Sequence, residues 1–418
     1  MNALEAYDST IYGLFTAVLA TVFFPADDPA TALLLSAGSF GFGFLVRPLG
    51  GIVLGYYSDT FGRKKAVILM VVLMALSTGA IGLIPSYAQI GVAAAILVTA
   101  ARLVQGFAVG GAAGSSIAYL IEIAPPGKRG LYGSWQQASQ VGAFLVTTAI
   151  AATVTNLMTR DAFTSYGWRL PFILAFFTGG LGLVLRRHLP AHDTVTRHGA
   201  DSAQPEAALG DTLRHNLPSV ARAAGVTCLW TITAFILLIF MPTFAHTNFG
   251  IPLSDAFLSA TIAAGVVVVL CPLVGIFSDR IGYRETMLVS ALLLGVIAYP
   301  AFHAVALYRS LPALILAQIA LALPIAGYTA PIATYLALLF PRGARSTGIS
   351  LAYNLVVMTV GAFGPLIVTA LTISTGNPLA PAFYVAIGAA VSAATLWFSP
   401  PTHGERRAAS SNRMTDLL

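Results

Sequence analysis

Apolar runs of about twenty residues, each long enough to cross a bilayer as a helix, recur along most of this chain and leave short polar connections between all but the sixth and seventh. Twelve such spans are read, at 9–24, 31–57, 66–84, 92–123, 131–155, 168–185, 220–244, 255–278, 286–304, 311–340, 346–371 and 381–398. With 57% apolar and 9% charged residues, against about a quarter charged in an ordinary soluble domain, a soluble fold is excluded. The expected fold is an all-α integral membrane protein of twelve transmembrane helices.

The chain also repeats itself. Gly55-x3-Asp59-x2-Gly62-Arg63-Lys64-Lys65 returns 220 positions later as Gly275-x3-Asp279-Arg280-x-Gly282-x-Arg284, both times just after a long apolar run. A second echo aligns residues 102–129 on 318–345 at a constant displacement of 216, pairing Gly111 with Gly327, Tyr119 with Tyr335, Pro125 with Pro341 and Arg129 with Arg345. Two independent matches at nearly one displacement mark a duplication. The expected organisation is a six-helix bundle at 1–185, a linker at 186–219, a second, pseudo-symmetric six-helix bundle at 220–398 and a tail at 399–418.

Placing both termini in the cytoplasm gathers the basic loop residues inside and leaves Arg160, Arg169 and Arg309 outside, the bias that sets membrane orientation. The net charge of +6 is thus a topology signal. Scattered over many short loops, it lacks the clustered basic and aromatic face that nucleic acid needs, and no nucleic-acid partner is expected. The first span follows Glu5 and Asp8 without a basic stretch, which reads as a retained helix and not as a cleaved signal. Cys228 and Cys271 fall inside spans and read as small apolar packing. In the polar stretch 186–218, His188, His192, His198 and His215 match no metal motif, and the stretch reads as a solvated linker. Neither metal nor cofactor is expected.

Gly55 to Lys65, the basic turn Pro125-Pro126-Gly127-Lys128-Arg129-Gly130 and Arg102-x2-Gln105-Gly106 resemble the signature motifs of the major facilitator superfamily, over nearly the whole chain. More narrowly, Leu4-Glu5-Ala6-Tyr7-Asp8, Gly43-Phe44-Leu45-Val46-Arg47-Pro48-Leu49-Gly50, Gly133-Ser134-Trp135-Gln136-Gln137 and Thr375-Gly376-Asn377 resemble the metabolite:proton symporter family, especially its citrate and tricarboxylate branch. The resemblance implies import of a small organic acid with protons by a monomer in a bacterial cytoplasmic membrane. Two departures are present. Gly110-Gly111-Ala112-Ala113-Gly114 lacks the carboxylate that the family commonly carries there, and Phe235 and Phe240 stand where it has tyrosines. A less polar carboxylate or an aromatic acid fits such a pocket.

Charges inside the spans are the candidate site. At about 1.5 Å per residue, Arg102 lies roughly 16 Å from the outer end of its span and Arg47 roughly 18 Å from Asp59 at the inner end of the second. A lone arginine at such depth costs at least about 2.5 to 3.5 kcal/mol, so it faces a partner or a wet cavity. Arg47 and Arg102 are therefore candidates to hold a substrate carboxylate through a bidentate guanidinium, or to couple to a titrating acid. At the repeat position of Arg102 stands Gln318.

Glu5 and Asp8 are the proton-coupling candidates, because a carboxylate buried beside a cavity can load and release a proton near working pH; a solvated first helical turn is the competing reading. Gln136, Gln137, Tyr328 and Asn354, with Gln140, Tyr335 and Tyr353, are polar positions in apolar helices that can bind substrate or join helices. Gly106, Gly110, Gly111 and Gly114 on the fourth span match Pro324, Gly327 and Pro331 on the tenth, an interruption that points to a binding region or to close packing.

A gate is expected from Gly55, Asp59, Gly62, Arg63, Arg129, Asp279, Arg284 and Arg345. Asp59 and Asp279 end inner helices near the N-termini at 131 and 346, where a docked carboxylate is favourable by roughly 0.3 to 2 kcal/mol. Rival readings are a symporter for a zwitterionic osmolyte such as betaine or proline, a proton-driven efflux antiporter, a membrane enzyme and a sensor. Gly142-Ala143-Phe144-Leu145 lacks the Gly-Pro-rich motif of drug antiporters, and no convergent catalytic motif stands out. The expected partners are a small organic acid, protons and membrane lipid.

Overall fold

The computed structural model describes residues 2–24, 29–185, 205–361 and 363–399. Its long helices are α1 (Asn2–Phe23), α2 (Pro29–Phe61), α3 (Arg63–Leu83), α4 (Val92–Ile123), α5 (Arg129–Leu157), α6 (Arg169–Leu185), α7 (Pro205–Ile232, continued by Thr233–Phe240 and Met241–Phe249), α8 (Leu253–Ile281), α9 (Tyr283–Tyr308), α10 (Leu311–Leu339), α11 (Arg345–Val356, continued by Val357–Gly361 and Gly364–Thr375) and α12 (Ala380–Phe398). Each contains or overlaps one expected span. Within α7 and α11 the segments Thr233–Phe240 and Val357–Gly361 are wide π-helical turns, which release carbonyls from the regular ladder. Tyr384 donates its hydroxyl to one of them, Val360 O, at 2.8 Å.

Among the described residues seven helical stretches are long and apolar enough to cross a membrane by composition alone, in α3, α4, α7, α8, α9, α10 and α12. Large apolar side chains face outward, in stripes such as Leu45, Leu49 and Val53 on α2 and Val289, Leu292 and Val296 on α9, while Arg47, Arg102 and Gln136 are buried. That inversion of the soluble pattern suits lipid as the surrounding medium.

Two polar segments of the sequence reading are placed by the structure. α1 begins at Asn2, so Glu5 and Asp8 belong to the helix and are buried instead of forming a solvated turn. α7 begins at Pro205, inside the stretch read as linker. Proline preset at the start of a helix followed by Glu206, Ala207 and Ala208 favours helix without apolarity, which a search for membrane spans overlooks. Linker residues 186–204, with His188, His192 and His198, and the tail beyond Ser399 lie outside the described residues.

The chain divides into two compact units, one of residues 1–116 and 139–202, the other of 117–138 and 203–418. In the first, α1 packs on α2, α3 and α6, and α3 on α6. Phe15, Phe23, Trp168 and Phe172 form an aromatic cluster there, with Phe23 edge-on to Trp168 at 5.4 Å between centroids, and Tyr7 donates its hydroxyl to Pro171 O at 2.6 Å. These contacts fix the rotation of α1. In the second unit α10 packs against both α8 and α9, α9 against α12, and α7 against α11 and α12.

The repeated signature shows why its glycines are there. Gly62 between α2 and α3 has φ 102°, and Gly282 between α8 and α9 has φ 118°, a conformation that glycine adopts at no steric cost. Each glycine ends one helix and starts the next within a single residue.

Candidate functional site

Glu5, Asp8, Arg47 and Arg102 are 4%, 2%, 7% and 4% exposed and gather in the first unit as two acid–arginine pairs. Two negative and two positive charges come together, which answers the cost of burying any one of them alone. A close approach of α2 and α4 makes the arrangement possible. A Cβ on Gly50 would overlap the backbone of Phe107, one on Gly106 the backbone of Gly43, and one on Gly110 the carbonyl of Arg47. Small residues thus let the two backbones touch, and Arg47 and Arg102 are carried into one space by that crossing. Gly106, Gly110 and Gly111 of α4 serve packing directly.

The inner pair is densely bonded. Asp8 Oδ1 accepts hydrogen bonds from Thr78 Oγ1 at 2.8 Å and from Gln105 Nε2, and Asp8 Oδ2 lies 3.6 Å from Arg102 Nη1. Gln105 Oε1 accepts from Arg102, and Gln105 Nε2 also lies 2.7 Å from Thr78 Oγ1. The guanidinium carbon of Arg102 sits 3.8 Å from the centroid of the Tyr12 ring, in cation–π range. One glutamine joins both ions.

The outer pair is loose by comparison. Glu5 Oε1 and Arg47 Nη1 are 3.7 Å apart, beyond hydrogen-bond distance, and Arg47 lies 4.2 Å from the centroid of Phe44. Glu5 Oε2 and Arg47 Nε are buried without a hydrogen-bond partner among the described residues. A small pocket opens between Asp8, Phe44, Arg47, Arg102, Gln105 and Gly106. Its volume of about 10 Å³ is roughly the space one water needs.

The first signature copy also lies in this unit, where Asp59 receives a charge-assisted hydrogen bond from Arg63 one turn on. In the second unit the matching Asp279 reaches further. Its carboxylate accepts the backbone N–H groups of Gly130 at 2.7 Å and Leu131 at 3.1 Å, the first turn of α5, and the Tyr283 hydroxyl at 2.8 Å. Thr334 donates to Arg129 O at 2.8 Å, and Arg345 Nη1 lies 3.3 Å from Glu122 Oε1. The side chain of Arg129 is exposed. Arg284 stands apart from Asp279's contacts: its Nε and Nη2 donate to Leu396 O and Trp397 O, both at 2.8 Å, so it caps the C-terminal end of α12 as a cation is expected to.

Of the remaining polar candidates Gln140 lies in the first unit and Gln136, Gln137, Tyr328, Tyr335, Tyr353 and Asn354 in the second. Trp230 Nε1 donates to Gln137 Oε1 at 2.8 Å, and its ring lies 5.0 Å from that of the half-buried Tyr353. Tyr328 donates to Val226 O at 2.6 Å and Asn354 to Ser350 O at 2.7 Å, while Gln136 is 1% exposed. Gln318 is buried with both Oε1 and Nε2 lacking a partner among the described residues. Thr78, Tyr12, Glu122 and Trp230 were not singled out by the sequence. Tyr12 has a signal, one helical turn from Asp8, and Gln105 likewise follows Arg102 by three residues; Thr78 and Trp230 meet their partners only through tertiary packing.

The profile of the Major Facilitator Superfamily matches residues 4–308 and 261–415. A citrate-proton symporter of Klebsiella pneumoniae is 33% identical over 390 residues, 93% of this chain and 87% of that protein. OusA of Dickeya dadantii, a glycine betaine/proline/ectoine/pipecolic acid transporter, is 30% identical over 428 residues, 100% of this chain and 84% of that one. A proline/betaine transporter of Escherichia coli K12 is 30% identical over 400 residues, 93% and 79% respectively. Among solved structures, the proton:xylose symporter XylE bound to 6-bromo-6-deoxy-D-glucose superposes with a TM-score of 0.77 over 96% of this chain and 94% of its own, at 16% identity. That likeness speaks for the fold.

Proposed function

This chain belongs to the Major Facilitator Superfamily, and we propose that it is a secondary active transporter importing a small organic acid, a di- or tricarboxylate or a related carboxylate, together with protons. One observation carries the reading: the buried cluster of Glu5, Asp8, Arg47 and Arg102 has two charges of each sign. In a low-dielectric interior an added anion is costly unless a cation comes with it. A proton on one of the two carboxylates supplies that cation and frees a guanidinium, whose planar fork matches a substrate carboxylate.

Gln136, Gln137, Tyr328 and Asn354 are proposed to complete substrate recognition, and Gly55, Asp59, Gly62, Arg63, Arg129, Asp279, Arg284 and Arg345 to govern opening in an alternating-access cycle. The protein is proposed to act as a monomer in a bacterial cytoplasmic membrane, with both termini inside. Its halves are taken at 1–185 and 220–398. Ala112 and Ala113, with Phe235 and Phe240, favour a substrate of modest polarity.

A second reading, symport of a zwitterionic osmolyte such as betaine or proline, is favoured by the Trp230–Tyr353 pair, since aromatic faces bind quaternary ammonium groups. The betaine and proline relatives speak for it as well. Thermal unfolding of the purified protein with citrate, succinate, glycine betaine or proline separates the two, because a ligand of the folded state raises the transition temperature. The organic-acid reading expects stabilisation by citrate or succinate and none by glycine betaine or proline. The reverse pattern overturns it in favour of the zwitterion.

A further inference from the structure

We infer that Glu5 is the residue that carries the proton, and that its protonation hands the Arg47 guanidinium to the substrate carboxylate while Asp8 stays ionised as the fixed counter-ion of Arg102. This deepens the symport reading and rests on it.

The two carboxylates differ in how the fold satisfies them. Asp8 accepts hydrogen bonds on Oδ1 from Thr78 of α3 and Gln105 of α4 and has Arg102 close by, and donors aimed at a carboxylate favour its ionised form. Protonating Asp8 would weaken both of these bonds and the attraction of Arg102, whose guanidinium donates to the same Gln105. Glu5 meets one partner, Arg47, at 3.7 Å, and its Oε2 has no donor among the described residues. A proton arriving at Oε2 displaces no hydrogen bond.

Among the described residues the charges around Glu5 are few. From α2 it meets Arg47, and on its own helix Asp8 lies one turn away. α3 presents the neutral Thr78 to Asp8, Arg102 of α4 faces Asp8, and Arg169 of α6 is bonded to Gly82 O and Ile84 O. Arg47 lines the pocket together with Asp8 and Arg102, whereas Glu5 touches Arg47 without lining the pocket. Arg47 therefore links Glu5 to that small pocket.

The charges balance through the step. A proton from the bulk adds to Glu5 Oε2 and forms an O–H bond, so the Arg47 guanidinium is left without its anion and the cluster becomes singly positive. One substrate carboxylate then pairs with Arg47 and restores neutrality. Release of substrate and of the proton reverses both changes.

The test is infrared difference spectroscopy on the purified full-length protein during acidification, in wild type and Glu5→Gln. The expected result is a protonated-carboxyl C=O band in the wild type that is missing from the folded variant. In proteoliposomes, Glu5→Gln is expected to exchange radiolabelled citrate for citrate yet not accumulate it under a pH gradient. Persistence of the band or of accumulation in Glu5→Gln overturns the inference. A variant that fails to fold overturns it equally, because a neutral side chain at position 5 is a state the proposed cycle visits. A wild-type protein that takes up citrate without any dependence on the pH gradient instead defeats the symport reading itself.

Discussion

Asp279 at the end of α8 receives the backbone N–H of Gly130 at 2.7 Å, so a carboxylate from one sequence repeat caps a helix that begins in the other. The neighbouring N–H of Leu131, at 3.1 Å, is held by the second oxygen of the same carboxylate. Gly130 and Gly275 make this possible: a Cβ on Gly130 would overlap the Gly275 carbonyl, and one on Gly275 would press on Ser134.

Asp279→Ala removes both acceptors from the first turn of α5. Loss of an N-terminal cap costs about 0.5 to 2 kcal/mol, and the charge acting on the helix dipole adds to it. Hydrogen–deuterium exchange of the amides at 130–131 is expected to quicken in this variant while that of α12 is unchanged. Unaltered exchange at 130–131 would show that the cap does not hold the turn.

Asp8→Asn leaves Arg102 without its counter-ion inside the first unit. Removing one partner of a buried pair costs about 3 to 5 kcal/mol, mostly through the charge left behind. A clear fall in the thermal transition is expected, and the double variant Asp8→Asn with Arg102→Gln is expected to recover part of it. Additive losses in the double variant would mean the two side chains are not energetically coupled.

Gly106→Ala and Gly110→Ala force a methyl group into the backbone of α2, an overpacking of the kind that costs about 1 to 3 kcal/mol. Gly265→Ala on α8 meets nothing within 4 Å and gains up to about 1 kcal/mol of helix propensity. Transition temperatures in opposite directions are expected. A loss as large in Gly265→Ala as in Gly106→Ala would contradict the close crossing of α2 and α4.

How much of this was legible follows from range. The spans, the duplication and the buried charges announce themselves in sequence, because lipid demands long apolar runs and makes each exception conspicuous. Arg47 and Arg102 stood out for that reason, and Glu5 and Asp8 as carboxylates at the start of the first helix. What pairs with what was not legible: Thr78 looks like any threonine in an apolar helix, and Trp230 like a lipid-facing aromatic, until packing brings them to Asp8 and Gln137. Arg284 was read with the signature it belongs to, yet the fold turns it to the carbonyls ending α12. The helix from Pro205 was missed because its first turns are not apolar.

Gln318 occupies the repeat position of Arg102 with both amide atoms unpartnered among the described residues. Leaving buried donors and acceptors unsatisfied costs about 1 to 3 kcal/mol, which an apolar side chain of similar shape avoids. Gln318→Met is therefore expected to raise the transition temperature and, with no amide at that position to meet a polar substrate, to slow uptake. An unfolding transition unchanged or lowered by Gln318→Met would mean the amide is satisfied in the folded protein.

The central claim, that a proton and a small organic acid move together, is met most directly by uptake into proteoliposomes containing the wild-type protein. With the outside acidified, radiolabelled citrate or succinate is expected to rise inside above its external concentration, and a protonophore is expected to collapse the gradient. Equilibration without accumulation, or accumulation that a protonophore leaves intact, would contradict the account.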